Sequence, residues 1–251
     1  MLRSSSNNRN FEENISAMSK PKIVVFTGAG VSADSGIATF RDSDGLWANY
    51  RIEEVCTPEA LEHNRAKVIE FYNLRRRELF EKKPNAGHYA IASLEEWADV
   101  EVVTQNVDNL HEQAGSSRVT HGELMKLRSQ SNPDLIYDIN DGWEQSLDAR
   151  GEDGALMRPH IVFFSEPVPM FDRACYIVST ADILIIVGTS LAVYPAASLV
   201  YYLRDRHVPI YLVDPGMPDT RLIRNPLTHI KERGAVGVPQ LVEKLRNEFE
   251  R

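Results

Sequence analysis

The residues best able to do chemistry fall in a few short strings. Gly28, Ala29 and Gly30 end a β-branched run, KIVVFT, and open the string GAGVSADSGIATFR. A strand-to-helix turn uses glycine for positive φ or for close backbone approach, with or without a ligand, so this turn alone leaves nucleotide binding open. The longer string adds two hydroxyls near a helix start, Ser32 and Ser35. Phe40 and Arg41 then supply an aromatic face and a permanent cation. A second glycine turn, VGTSLAVYPAA, sets Gly188, Thr189 and Ser190 after another apolar run, and two such turns suit the two phosphoryl-ribose halves of a dinucleotide. In TQNVDNLHEQAG, Gln105, Asn106 and Asp108 crowd polar groups just past an apolar run. They read either as local turn and capping bonds or as a grip on an amide-bearing ring such as nicotinamide. His121, in VTHGEL, is either structural or, with its near-neutral pKa, a general base.

These groups need a frame to hold them. The runs KIVVFT, DVEVVTQ (99–105), HIVFF (160–164), ADILIIVG (181–188) and VPIYLV (208–213) have strand length and the composition of strands buried on both faces. Between them a helix is expected from Thr57 to Lys82, with Thr57 as N-cap and Pro58 in the first turn, and another from Pro195 to Arg206. Strands alternating with helices predict an α/β fold, a Rossmann-like parallel sheet with helices on both faces. Residues 122–158 are polar and turn-rich with no strong period, and read as an inserted smaller lobe. The division expected is an extension over 1–20, then one catalytic domain over 21–251. Its sheet is built from 21–41, 84–121 and 159–251, and its small lobe from 42–83 and 122–158.

A chain of 251 residues, 43% apolar and 25% charged, has the composition of a globular protein, and no run reaches the roughly 20 apolar residues of a membrane span. A net charge of −8 disfavours nucleic acid as a partner. The two cysteines, Cys56 and Cys175, form no CxxC pair and no disulfide framework, which points to a reducing compartment, the cytoplasm. The first twenty residues lack an apolar core and carry Glu12 and Glu13, unlike a secretory or transit segment.

Taken together, GAGVSADSGIATFR, TQNVDNLHEQAG, the His121-Gly122 pair, RPHIVFF and GTSLAVYPAA, in this order and spacing, resemble the sirtuins from residue 21 to about 245. The resemblance implies an NAD-dependent lysine deacylase acting on acylated-lysine protein substrates. In that family the turn of Gly28 and Gly30 holds the pyrophosphate, Asn106 and Asp108 line the nicotinamide pocket, and Arg41 lies on the cofactor loop. The same resemblance implies that the acyl oxygen attacks the nicotinamide ribose, that His121 takes a proton from a ribose hydroxyl, and that the products are nicotinamide, free lysine and O-acyl-ADP-ribose.

Tyr72 and Arg75 stand at i, i+3 in VIEFYNLRRREL, on one helix face. On their own they read as part of a solvated basic face. The resemblance gives them another role: a Tyr-x-x-Arg here is similar to the branch that removes negatively charged acyl groups, succinyl or malonyl, whose distal carboxylate the phenol and guanidinium bind. Cys56 and Phe163 are expected beside the same acyl group, Cys56 where that branch often has a smaller residue.

The chain also departs from the family pattern. The four zinc cysteines are missing, with Ser129 where the first is expected, so no metal is expected and the insert should either be held by apolar residues such as Leu135, Ile136, Tyr137, Ile139 and Trp143 or be loosely ordered. Ser165 replaces a glycine, Ala38 a proline, and Asp214 stands where an asparagine commonly meets the adenosine ribose. Two other functions would share the cofactor, protein ADP-ribosyl transfer and non-catalytic NAD sensing. The presence of Asn106, Asp108, His121 and the Tyr72, Arg75 pair favours deacylation.

Overall fold

The computed structural model describes residues 20–38, 49–120, 122–139, 142–203 and 207–250. Phe40, Arg41 and His121 therefore lie outside the described residues. The first strand, β1 (Lys22–Thr27), runs into the short helix α1 (Gly30–Ala33). Next come α2 (Ile52–Val55), α3 (Pro58–His63) and α4 (Arg65–Phe80). Thr57 caps α3 as expected, accepting the Ala60 N–H at 3.1 Å with Pro58 at the first position. The single helix expected over 57–82 is broken at Asn64. Its non-helical backbone (φ −145°, ψ 60°) frees the side chain to accept the Lys67 N–H and cap α4, a competition with the helix that asparagine commonly wins.

The remaining elements are α5 (Ala86–Ser93), β2 (Asp99–Thr104), α6 (Leu110–Gln113), β3 (Val119–Thr120), β4 (Glu123–Ser129), β5 (Ile136–Asp138) and β6 (Met157–His160). They are followed by α7 (Phe171–Ser179), β7 (Ile183–Val187), a 3₁₀ helix at Ala196–Leu203 within the helix expected over 195–206, β8 (Ile210–Val213), β9 (Leu227–Ile230) and α8 (Gly234–Phe249), and a short 3₁₀ helix at Leu94–Glu96 precedes β2.

Among the described residues six strands make one parallel sheet in the order β3-β2-β1-β7-β8-β9. The two-residue alternation of each strand splits its side chains between two cores. Val24, Phe26, Leu184 and Ile186 meet α7 and the 3₁₀ helix, whereas Ile23, Val25, Ile185 and Val187 meet α5 and α8. Every residue of β7 is buried, as a strand covered on both faces must be.

A second sheet, antiparallel in the order β5-β4-β6, corrects the expectation that HIVFF is a strand of the main sheet. The strand there is Met157–His160, and the chain leaves it at Ile161. Arg158 makes a two-pronged pair with Glu166, at 2.5 and 3.0 Å, and Glu166 also accepts the Phe163 N–H at 2.7 Å, which turns the segment back on itself. Burial opposes the Glu166 charge, but these partners outweigh it and hold its carboxyl below the usual value. Ser165, in the place of a glycine, adopts φ 70° in this turn. Ile161 and Phe163 are buried all the same, in a third core with Val55, Cys56, Phe71, Tyr72, Leu110 and Leu124, so their apolar run has the look of a sheet strand without being one.

The insert is not held as expected. Ile136 is 45% exposed, and Leu135, Tyr137, Ile139 and Trp143 are only half-buried. Polar ties do the holding. Buried Ser129 accepts the N–H groups of Ser131 and Asn132 and donates to Asp153 at 2.5 Å, while Arg65 donates to the carbonyls of Leu147 and Met157. Ser129 thus organises the turn that follows it by hydrogen bonds. Purified protein is expected to carry no stoichiometric zinc by elemental analysis and to keep its melting temperature in excess chelator, because residues 122–158 contain no thiol. A molar equivalent of zinc would overturn this.

Candidate functional site

In a doubly wound sheet, ligands bind beyond the carboxyl ends of the strands where the strand order reverses. Here that place lies between β1 and β7, since the chain leaves β1 toward β2 and β3 but builds β8 and β9 on the other side. The residues that follow these strands are Gly28 after β1, Gln105 after β2, Gly188 after β7 and Asp214 after β8. The two glycine turns press on each other. A Cβ on Gly28 would sit 2.8 Å from the Gly188 carbonyl oxygen, and one on Gly188, at φ 60°, only 2.3 Å from the Val31 nitrogen. No other residue fits Gly188.

Gln105 ties the turns together by donating to the Thr189 hydroxyl at 2.9 Å. The N–H groups of Ala29, Thr189 and Ser190 have no acceptor among the described residues. Unsatisfied donors on two adjoining turns could make a cradle for an anion such as a pyrophosphate.

Behind the cradle lies a buried polar knot. Asn106 donates to the Gly28 carbonyl (3.2 Å) and to the Ser32 hydroxyl (3.3 Å), and Ser32 donates to Asp108 at 3.0 Å. The other Asp108 oxygen accepts the Leu110 N–H, holding the start of α6. His88 and His111 complete the knot and were not singled out from the sequence. Burial pulls the His88 pKa down to about 4, so the ring is neutral. Its Nδ1 accepts the Asn85 N–H, which leaves Nε2 to donate to Ser32, 3.4 Å away. His111 packs edge-on to His88 and lies 3.0 Å from the Thr27 hydroxyl, which donates to Thr104. The sequence signal was the Asn85-x-x-His88 spacing, which also closes a capping box on α5 and so looks purely local.

The structure brings the expected acyl-side residues together. Tyr72 is 1% exposed, stacks on Phe163 (5.7 Å between rings) and donates its hydroxyl to the Cys56 sulfur at 3.3 Å. Burial pushes the phenol well above its usual pKa and raises the thiol, with Arg75 pulling both the other way. Both groups are neutral near pH 7, and the phenol is a hydrogen-bond donor. The Arg75 guanidinium lies 5.9 Å from the Tyr72 and Phe71 rings. Two links join this cluster to the knot. Leu110, capped by Asp108, shares the core of Tyr72 and Cys56, and the carbonyl of Val107, between Asn106 and Asp108, accepts the Leu124 N–H. Asp214 stands apart from both groups: half-buried, it accepts the Gly216 N–H at 2.8 Å.

The chain is similar to known proteins of one family over most of its length. The sequence profile described as Sir2 family matches residues 28–195. An NAD-dependent protein deacylase of Aggregatibacter actinomycetemcomitans is 51% identical over 83% of the chain and 99% of that relative. One from Bacteroides thetaiotaomicron is 47% identical over 89% and 97%. Among solved structures, a mutant Sir2 homologue in complex with ADP ribose is 34% identical, with a TM-score of 0.81 over 97% of this chain and 98% of the other. A Sir2 homolog–NAD complex is 33% identical, with a TM-score of 0.79 over 99% and 97%.

Proposed function

The chain belongs to the Sir2 family, and on that premise we propose that this NAD-dependent protein deacylase takes succinyl- and malonyl-lysine as well as acetyl-lysine. The observation that carries the acyl assignment is the placing of Tyr72 and Arg75 on one face of α4, packed with Cys56 and Phe163. A neutral phenol donor beside a guanidinium suits a carboxylate and offers an acetyl methyl nothing.

When bound, NAD supplies the ribose carbon that accepts the acyl oxygen as nicotinamide leaves. The turns at 28–30 and 188–190 would hold its phosphates, with Gln105 fixing the turns relative to each other. Asn106 and Asp108 would line the nicotinamide end, and their bonds to Ser32 hold them in place. By the family resemblance Phe40 and Arg41 would belong to the cofactor loop, and Asp214 would meet the adenosine ribose. His121 would take the proton of a ribose hydroxyl, and with water completing the transfer the products would be nicotinamide, free lysine and O-acyl-ADP-ribose. The buried free thiols Cys56 and Cys175 fit the reducing cytoplasm.

Mass spectrometry of matched acetyl-, succinyl- and malonyl-lysine peptides after incubation with NAD tests the assignment. Loss of the succinyl and malonyl groups at a higher kcat/KM than acetyl is expected. A preference for acetyl would overturn the acyl assignment.

A further inference from the structure

Arg76 is the middle residue of an Arg-Arg-Arg run that reads as a solvated basic face, yet its side chain is 0% exposed. All its acceptors are neutral. Nε donates to the Leu124 carbonyl at 2.8 Å, and the two terminal nitrogens donate to the side-chain oxygens of Asn73 (2.9 Å) and Gln145 (3.3 Å). No carboxylate among the described residues lies within ion-pair reach of it. Burial pulls its pKa down to about 10, which still leaves the group cationic at neutral pH. A buried charge without a counter-ion is costly, and proteins pair such charges almost without exception.

We propose that Arg76 is a specificity-determining residue that selects anionic acyl groups through its field, the acyl carboxylate being its missing counter-ion. The inference rests on the reading that the pocket beside Tyr72 takes an acidic acyl group. Arg76 stands four residues after Tyr72 and Arg75 three after it, so the two cations flank one phenol on one helix face. The neighbouring Arg75 raises the cost of the Arg76 charge further, and an anion entering beside Tyr72 relieves it. A clamp role accounts for the three hydrogen bonds, since Leu124 opens toward Val107 and Gln145 belongs to the insert. It does not account for a whole uncompensated charge, which the same neutral acceptors do not require.

The experiment compares one peptide carrying succinyl-lysine with the same peptide carrying its uncharged succinamoyl analogue, and reads the ratio of the two kcat/KM values. General damage to the enzyme cancels in that ratio. Arg76→Gln keeps an amide donor and drops the charge, and should lower the ratio about tenfold, the scale of one charge acting through a partly screened interior. Arg76→Lys keeps the charge and should hold the ratio within about threefold. If Arg76→Gln does not fold, Gln145→Glu places a carboxylate against an intact Arg76 and should lower the ratio similarly. An unchanged ratio in Arg76→Gln or Gln145→Glu, or an equal fall in Arg76→Lys, overturns the field role. A wild type that does not favour succinyl over succinamoyl overturns the acidic-acyl reading itself, and this inference with it.

Discussion

His121→Ala is expected to lower kcat/KM for every acyl-lysine peptide by about 10²- to 10⁴-fold, the usual contribution of a positioned general base. Among the described residues of the polar knot, few other groups suit the task. Both Asp108 oxygens already accept hydrogen bonds, from Ser32 and from Leu110. His88 is buried with a pKa pulled to about 4 and is committed on both ring nitrogens, so it is a poor base at neutral pH. The flanks of His121 are well fixed: Thr120 ends β3 at the carboxyl edge of the sheet, and a Cβ on Gly122 would sit 3.1 Å from the Ile161 Cα. The loss should therefore come with an unchanged melting temperature. Turnover within a few-fold of wild type, measured as both nicotinamide release and deacylated peptide, would remove the role.

How far a residue's surroundings could be read from sequence depended on whether its signal was local. The runs of β1 and β7 and the glycine turns after them were legible, because continuous burial and close backbone approach leave their mark on adjacent residues. HIVFF misled because a run buried in a lobe core has the composition of one buried in a parallel sheet. Only the pull of Glu166 on Arg158 and Phe163 distinguishes them. β9, LTHI, is an edge strand half in solvent and carries no apolar pattern. α8 hides behind Gly234, Gly237 and Pro239. A Cβ on Gly237 would lie 2.6 Å from Val213, so that glycine answers to packing against the sheet and says little about helix propensity. Tyr72 and Arg75 were singled out only by the family resemblance, since their spacing alone reads as a solvated basic face. Arg76 was not: three arginines in a row look alike until the fold buries the middle one and exposes Arg77.

Arg75→Met should separate the substrates most sharply. Losing one charge-assisted hydrogen bond to a carboxylate costs about 1.5 to 3 kcal/mol, roughly ten- to a hundred-fold in kcat/KM, and acetyl-lysine never makes that bond. The succinyl-to-acetyl ratio of kcat/KM should fall by that factor, mostly through KM, because the bond forms on binding and persists to the transition state. Methionine is close to arginine's apolar stem in length, so the loss falls mainly on the guanidinium that lies near Phe71 and Tyr72. Arg75→Lys is the sharper control. It retains charge but not the planar fork, and should recover only part of the preference. Tyr72→Phe should also lower the ratio, by less, since a neutral donor makes a weaker bond than a guanidinium and its hydroxyl otherwise rests on the weak acceptor of Cys56. Equal losses on both substrates in Arg75→Met would make Arg75 a structural residue of the helix. Cys56, whose thiol stands against the phenol, would then be the next residue to vary.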